Sequence, residues 1–186
     1  MRTTTALVIL FGLFSITKGA LPDASEFTRL RMEYADAPDA LYSWAIDNDR
    51  VAALEVFKHD KSQFVGMAIA WLKRCPIDAR VRTMLASALS ELGRSGETIS
   101  HRYIYYGLLA SIVGEADGFS KEKAFRVVSV DEEYDVCSYL GARVLEQRID
   151  GHFDVLTIML KEQKKELYFD VTIVFRNENR SLQQKK

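Results

Sequence analysis

The sequence predicts an α+β domain in which N-terminal helical hairpins pack on a small C-terminal antiparallel sheet with one short helix. Between residues 21 and 113, apolar residues recur three and four positions apart, which is typical of helices with one buried face. Between residues 119 and 175, β-branched and alternating residues predict strands. The hydrophobic content of 48% and the presence of only 3 prolines indicate a folded chain.

The first half of the chain contains five predicted helices. A short apolar helix is expected over residues 40–46, and Asp47 and Asp49 are candidate caps of the next one. The third helix carries two apolar stripes, so much of its circumference should be buried, and Pro76 ends it. Asp78 is expected to begin the fourth helix, which runs towards a glycine-containing turn.

The fourth and fifth helices form a predicted antiparallel hairpin over residues 76–113, joined by the turn at residues 93–96. Leu85, Leu89 and the glycine turn are similar to one tetratricopeptide hairpin. The fifth helix departs from that pattern, and no repeat of about 34 residues precedes the hairpin. We therefore expect tetratricopeptide-like packing without a repeat array.

The second half predicts a strand over residues 124–130 and a short helix over residues 131–140, whose acidic first turn suits the helix dipole. Glycine accepts positive φ without penalty, so Asp150-Gly151 is a strong hairpin signal. Three further strands are expected at residues 144–149, 153–160 and 166–175.

The strand that follows the Asp-Gly turn is apolar on both faces, which predicts cover on both faces. The helical half would cover one face, and the short helix or a second subunit would cover the other, so the two halves should form one merged domain. A longer turn over residues 161–165 would place Leu156 opposite Asp170 and Asp154 opposite Thr172.

The first 20 residues read as a cleavable signal peptide, because one arginine precedes nine apolar residues and small or polar residues follow. The apolar run is well short of the roughly 20 residues that span a bilayer, so we expect no stable membrane insertion after cleavage near Gly19 or Ala20. A membrane anchor and a buried first helix are the alternatives. Cleavage would leave a periplasmic or secreted protein with one domain over residues 21–175 and a flexible polar tail over residues 176–186.

Charge and motifs argue against several functional classes. Cleavage would leave 23 of the 25 basic residues and all 26 acidic ones, which is not the basic footprint of a nucleic-acid-binding protein. His59, His101 and His152 stand in no zinc-binding spacing, and no phosphate loop or G-x-S-x-G elbow is present, so no metal or other cofactor is predicted. Cys75 and Cys137 form either a disulfide or two buried thiols.

Three segments carry a resemblance to a known family. They are the D-G…A-F-x-V-V-S-V-x-E-E-Y stretch within residues 117–134, the hairpin at residues 150–157 and the closing E-L-Y-F-D-V at residues 166–171. The chain resembles an uncharacterised family of small exported bacterial proteins, known as a domain of unknown function, most strongly over residues 92–175. The resemblance implies a Gram-negative envelope setting and implies no activity.

Three carboxylates are candidate catalytic residues. Glu133 stands beside Glu132 and could form a paired acid–base or cation site, although adjacent helical residues point about 100° apart. Asp154 and Asp170 could approach across neighbouring strands, as in glycosidases. The structural alternative is that the glutamates compensate the helix dipole and the aspartates lie at the rim of the sheet.

Aromatic and imidazole side chains are candidate binding residues. His101 and Tyr105 stand four residues apart on the fifth helix, where they could line a groove for a ligand or peptide. Tyr134, His152 and Tyr168 lie on or beside the sheet. Half-buried packing with hydroxyls that reach solvent is the commoner role of such tyrosines.

Size, export and the lack of a catalytic motif favour a non-catalytic periplasmic module that binds a protein or peptide partner in the envelope. An exposed apolar patch around Tyr103, Tyr105 or Trp44 would support this hypothesis. The first alternative is a small cell-envelope hydrolase that uses the sheet carboxylates. The second alternative is an inhibitor or immunity-type protein that binds a secreted toxin.

Overall fold

The computed structural model describes residues 22–114 and 116–184, so the predicted signal peptide lies outside the described residues. None of the described helices is long and apolar enough to cross a membrane. The N-terminal part is helical, as predicted, and α1 adds a helix that the sequence pattern did not indicate. Its five helices are α1 (Ala24–Asp36), α2 (Asn48–Val56), α3 (Lys61–Arg74), α4 (Ala79–Glu91) and α5 (Ser95–Val113).

The C-terminal part combines a 3-10 turn at Lys121–Lys123 with four strands and two helices. The predicted α+β class is therefore confirmed. Its elements are β1 (Phe125–Arg126), α6 (Val130–Tyr139), β2 (Arg143–Asp150), β3 (Phe153–Leu160), β4 (Gln163–Asp170) and α7 (Thr172–Gln184).

Aspartate side chains begin four of the helices. Asp23, Asp47, Asp60 and Asp78 are the N-caps of α1 to α4, where each carboxylate accepts a backbone N–H from the first turn. These caps satisfy donors that a helix otherwise leaves unpaired. The predicted helix starts at Asp47 and Asp78 are confirmed.

The helices α2 to α5 pack one after another, and α1 packs on α5. Gly107 of α5 permits the close approach of α1, because a Cβ at that position would meet the ring of Phe27 at 2.2 Å. The inward faces form one core cluster, whose largest members include Trp44, Phe64, Trp71, Leu85, Leu89 and Leu108.

The helix predicted over residues 40–46 is wrong, because this segment is irregular. The backbone N–H groups of Trp44 and Ala45 donate to the carboxylate of Asp131, at 2.8 and 3.3 Å. The Trp44 side chain is fully buried in the helical core. The apolar residues of this segment therefore reflect burial, and a distant acceptor takes the place of helical hydrogen bonds.

The four strands form one mixed sheet in the order β1-β4-β3-β2. The last three strands make the predicted antiparallel meander, whereas β1 pairs parallel with β4. This difference arises because α6 carries the chain across the sheet to its far edge, as in a β–α–β crossover. The strand predicted over residues 124–130 is shortened to two residues, since the Val128 N–H donates to the side chain of Glu132 at 2.9 Å.

The register of β3 and β4 differs from the prediction. Only residues 161–162, both with positive φ, connect the two strands, instead of a five-residue turn. Such a tight turn matches the twist of a hairpin. Asp154 therefore lies opposite Phe169 rather than Thr172, and Leu156 lies opposite Leu167 rather than Asp170.

The two faces of the sheet differ in character. On the face towards α6, apolar side chains of β3 and β4 pack with Val136 and Cys137 in a second core cluster. On the other face, Val155 lies between Arg148 and Tyr168 of the neighbouring strands. Val155 is buried, but the polar neighbours leave the rest of this face open to solvent. The prediction that β3 is covered on both faces is therefore wrong for this face, because long side chains of the adjacent strands bury its centre. The strand residues in the second cluster include Leu156, Ile158, Leu167 and Phe169.

The chain after β4 turns into a helix, which corrects both the predicted strand over residues 166–175 and the tail from residue 176. The carboxylate of Asp170 accepts the backbone N–H and the hydroxyl of Thr172, at 3.0 and 2.6 Å. This capping ends β4 and begins α7. Residues 176–184 belong to α7.

Two arginines hold α7 against the C-terminal end of α1. Arg176 donates to the carbonyl of Ala35 at 3.0 Å, and Arg180 donates to the carbonyl of Ala37 at 2.8 Å. Carbonyls at a helix C-terminus lack intrahelical donors and favour positive charge nearby. The polar end of the chain thus completes the first helix of the fold.

A chain that ends at residue 175 should therefore be less stable than the full chain, by about 1–3 kcal/mol. It loses the contacts of Arg176 and Arg180 and the buried side chain of Asn177. Urea denaturation followed by circular dichroism measures the difference. A chain that lacks only residues 185–186 is the control, and equal stability of the two shortened chains would contradict this role of α7.

Candidate functional site

The first two turns of α6 carry four acidic residues, and the fold gives the first three different environments. Ser129 caps the helix with its side chain, at an end where negative charge is favoured. Because successive helical residues point about 100° apart, Asp131, Glu132 and Glu133 face three directions. Their partners come from α1, α2 and the sheet, so α6 lies at the junction of the two core clusters.

Glu132 forms a bidentate ion pair with Arg31 of α1, and both side chains are buried. The Arg31 Nε and Nη2 atoms donate to the two carboxylate oxygens at 2.7 and 2.6 Å. The same guanidinium donates to the carbonyl of Arg126 in β1 at 2.9 Å and to that of Ser111 in α5 at 3.3 Å. Four elements therefore meet at one fully hydrogen-bonded buried charge pair.

A second ionic cluster surrounds Arg50 of α2. Its guanidinium donates to Asp78 at 2.6 Å and lies 3.8 Å from Asp131. Asp78 also accepts the indole N–H of Trp71 at 2.8 Å. Burial opposes the charge of Arg50, but the Asp78 and Asp131 carboxylates outweigh it and raise the pKa of Arg50. This cluster ties α2, the start of α4 and α6 together.

Glu133 and Asp154 form a buried pair of carboxyl groups, with side chains within hydrogen-bonding reach. Glu133 is 0% exposed and Asp154 is 3% exposed. Among the described residues, neither Glu133 oxygen nor Oδ1 of Asp154 has a conventional donor. Burial, followed by the charge of Asp154, raises the pKa of Glu133 to about 9. Glu133 therefore keeps its proton at neutral pH and supplies the donor that Asp154 needs.

A short hydrogen-bond chain connects this pair to the surface. The hydroxyl of Tyr134 donates to the side-chain oxygen of Gln147 at 2.8 Å, and the amide nitrogen of Gln147 donates to Asp154. Tyr134 is an exposed residue of α6, and Gln147 lies on β2. From solvent inwards, the contacts therefore run from Tyr134 to Gln147, then to Asp154 and finally to Glu133. Two predicted catalytic residues and one predicted binding residue come together here.

The other predicted sheet residues lie away from this pair. Asp170 caps α7, and its strand partner is Phe153. Tyr168 donates to Glu166 at 2.8 Å on the open face of the sheet. His152 lies in the exposed β2–β3 turn, with its ring centroid 4.1 Å from that of Phe153. These three candidates therefore do not converge on one site.

His101 and Tyr105 are half-buried on α5. The Nδ1 atom of His101 lies 3.2 Å from the guanidinium of Arg82, at a shallow depression of about 200 Å³ between α3, α4 and α5. The ring of Tyr105 lies 5.1 Å from that of Tyr106, and burial, followed by the charge of Asp135, raises the pKa of Tyr105 to about 12. The two candidates pack against neighbouring helices and do not line a shared groove.

A different face of α5 exposes large apolar side chains. Ile99, Tyr103 and Tyr106 recur at helical spacing, and Ile99 is 67% exposed. We call these three residues the α5 patch. Of the three aromatic residues expected to mark such a patch, Tyr103 is exposed, Tyr105 is half-buried and Trp44 is fully buried.

The two cysteines carry free thiols, so a Cys75–Cys137 disulfide is not formed. Cys75 lies in the helical core cluster and Cys137 in the sheet core cluster. Burial raises the pKa of both thiols, that of Cys137 to about 12. Within the described part of the chain, no group of three or more histidines, cysteines or acids could hold a metal ion.

Sequence reasoning missed Arg31 and Arg50, the two cations of the buried network. A signal for Arg31 exists in the sequence, because Phe27, Arg31 and Ala35 recur every four residues on the buried face of α1. A charged residue in such an apolar stripe indicates a buried partner. The identity of that partner, 101 residues away, is set only by the tertiary structure.

We predict that Glu133→Gln weakens the pH dependence of stability, while Asp131 and Asp135, whose pKa values burial also raises, keep part of it. The unfolded carboxyl ionises near 4.5 and the folded one near 9, so the folded state binds more protons in this window. The free energy of unfolding of the unmodified protein should therefore fall between about pH 5 and about pH 9, by at least about 2 kcal/mol. Glutamine stays neutral throughout and can donate to Asp154. Urea denaturation at both pH values measures the change.

Glu132→Gln is the matched control from the adjacent position. It leaves the buried charge of Arg31 without its partner, so we expect a loss of about 3–5 kcal/mol at both pH values. If Glu133→Gln destabilises the protein as strongly as Glu132→Gln, Glu133 is not a protonated member of a pair.

Comparison with known protein families gives a match to most of the chain. The family described as a domain of unknown function (DUF4919) matches residues 40–180, which includes α2 to α6 and most of α7. No curated protein and no solved structure matches the chain significantly. The matched range contains the Arg50 cluster, the Glu133–Asp154 pair and the α5 patch, whereas Arg31 lies before it. The chain therefore belongs to the DUF4919 family of domains of unknown function.

Proposed function

We propose that the protein is a non-catalytic interaction module of the bacterial cell envelope, which binds a protein or peptide partner through the α5 patch. One observation carries this proposal: Ile99, Tyr103 and Tyr106 are exposed together on one face of a long helix. Tyrosine and large aliphatic side chains are costly to leave in water in a cluster, and tyrosine is enriched at interfaces.

The α5 patch is rigidly supported. α5 packs on α1, α4 and α6. The ring of Tyr103 lies edge-on to that of Phe27, with centroids 5.9 Å apart, and Tyr106 packs in the same way against Tyr105. Aromatic side chains that are already held in place lose little conformational entropy on binding. This supports a preformed surface for a folded or peptide partner.

The burial of the carboxyl pair supports a non-catalytic role. A hydrolase that used Glu133 and Asp154 would need water and substrate at their oxygens. Both side chains lie inside the fold, and the neutral form of Glu133 can donate to Asp154. Asp170, the third carboxylate of the hydrolase hypothesis, is engaged as the cap of α7.

The envelope location rests on the leader at residues 1–20. We predict that the protein from a bacterial periplasmic fraction begins at Ala20 or Leu21, because cleavage after Gly19 or Ala20 suits the small residues at this point. N-terminal mass analysis of that fraction measures this. A chain that keeps Met1 would contradict export by cleavage.

We expect a photo-crosslinking side chain at Ile99 to capture the partner in intact cells, since contact residues at the centre of an interface lie within bond-forming distance of the partner. Glu55 of α2 supplies the matched control, because its side chain is 62% exposed and lies on a different helix. Adducts are measured by denaturing electrophoresis and mass spectrometry. The same adducts from both positions, or none from Ile99, would contradict the α5 patch as the binding surface.

The identity of the captured partner separates the remaining alternatives. A secreted toxin among the adducts at Ile99 would support the inhibitor or immunity-type function. An envelope protein or a peptide would support the general interaction module.

A further inference from the structure

The strand β2 forms one outer edge of the sheet. β3 is its only neighbouring strand within the described residues. Every side chain from Glu146 to Asp150 is exposed, and Ile149 is 56% exposed. A strand of this kind presents unpaired backbone N–H and C=O groups to any chain that can continue the ladder.

The outward backbone groups of β2 belong to alternate residues. Asp150 pairs with Phe153 across a two-residue turn, which makes them the closing hydrogen-bonded pair of the hairpin. Hydrogen-bonded positions alternate along an antiparallel strand, so Asp150 and Arg148 direct their backbone groups towards β3. Gln147 and Ile149 therefore direct theirs away from the sheet, where an added strand would meet them.

Charge and backbone geometry together select one self-pairing register. If Ile149 pairs with Ile149 of an antiparallel second copy, Arg148 of each copy lies opposite Asp150 of the other. A shift of the pairing by two residues would set Arg148 against Arg148 in one direction and Asp150 against Asp150 in the other, and both pairs repel. A shift by four would require Leu145 to pair, but the strand is irregular between Val144 and Glu146.

We propose that β2 is a self-association site, at which the β2 strands of two copies pair antiparallel with Ile149 at the two-fold axis. This joins two four-stranded sheets into one continuous sheet. The site is separate from the α5 patch and does not depend on the proposed partner binding.

The charges on the open face of the sheet favour this arrangement. Within one chain, Lys121 pairs with Asp150 at 2.8 Å and Arg148 pairs with Glu166 at 2.8 Å. The register at Ile149 places these two pairs next to each other across the interface. On each side of the two-fold axis, Lys121 and Asp150 of one copy are then followed by Arg148 and Glu166 of the other, so that the charges alternate in sign. A strand of a foreign protein would have to reproduce this pattern, whereas a second copy already contains it.

A reciprocal charge exchange tests the proposal. In a dimer of Arg148→Asp, the new aspartate of each copy faces Asp150 of the other, so the facing side chains are all acidic. In a dimer of Asp150→Arg, the new arginine of each copy faces Arg148 of the other, so they are all basic. We expect each single variant to dimerise at least tenfold more weakly than the unmodified protein. An equimolar mixture of the two variants should associate, because every pair across the axis is then of opposite sign. Analytical ultracentrifugation of the full chain over a concentration series measures all four samples.

The mixture also shows whether the single variants are still folded. If they had lost self-association by misfolding, mixing them would not restore a dimer. The expected dimer is weak, because a five-residue edge buries less than the roughly 800 Å² per partner of a standard interface. A monomer at all concentrations up to about 1 mM, or no association in the mixture, overturns the proposal.

A cysteine at Ile149 tests the register itself. Under mild oxidation, Ile149→Cys should yield a disulfide-linked dimer, because the two positions face each other at the axis. Gln147→Cys is the control, since its position lies opposite Gly151 of the second copy in this register. Faster cross-linking at Gln147 than at Ile149 would contradict the register, and cross-linking at neither position would contradict the pairing.

Discussion

The buried ion pair between Arg31 and Glu132 is the contact on which the junction of the helical half and the sheet half depends. Arg31 also donates to carbonyls of Arg126 and Ser111, and Glu132 also accepts the N–H of Val128. Charge in a protein interior is tolerated only where partners satisfy it. The pair therefore fixes the positions of α1, α5, β1 and α6 relative to one another. If any of these elements moved away, buried polar groups would lose their hydrogen-bond partners.

Glu133, the next residue of α6, is buried without an ion pair to any described residue. Glu132 forms an ion pair with Arg31, whereas Glu133 keeps a proton beside Asp154. Burial of a carboxyl group is less costly in the neutral form, so a raised pKa replaces an ion pair. The two adjacent residues are therefore buried in different ways: Glu132 contacts the helices through an ion pair, and Glu133 contacts the sheet in its neutral form. Gln147 and Tyr134 extend that second contact to the surface.

The surfaces proposed for binding lie on different elements and have different chemistry. The α5 patch is apolar and aromatic, which suits a partner that supplies complementary apolar surface. The β2 edge carries alternating charges around Ile149, which suits a second copy. A dimer through β2 would present two α5 patches, so that a partner with two binding sites would be held more tightly than by one chain.

The sequence by itself determined the α+β class, the helix starts at Asp47 and Asp78, and the bounds of β3 at residues 153–160. Caps and tight turns are satisfied by groups within a few residues, so local patterns reveal them. Only the tertiary structure decided that residues 40–46 are irregular, that residues 172–184 are helical, and which acids of α6 meet a cation or a carboxyl. The backbone N–H of Trp44 donates to Asp131, 87 residues away, and Glu132 pairs with Arg31, 101 residues away. A local pattern can show that a polar group will be buried, but the partner is set by packing, since burial without one is too costly.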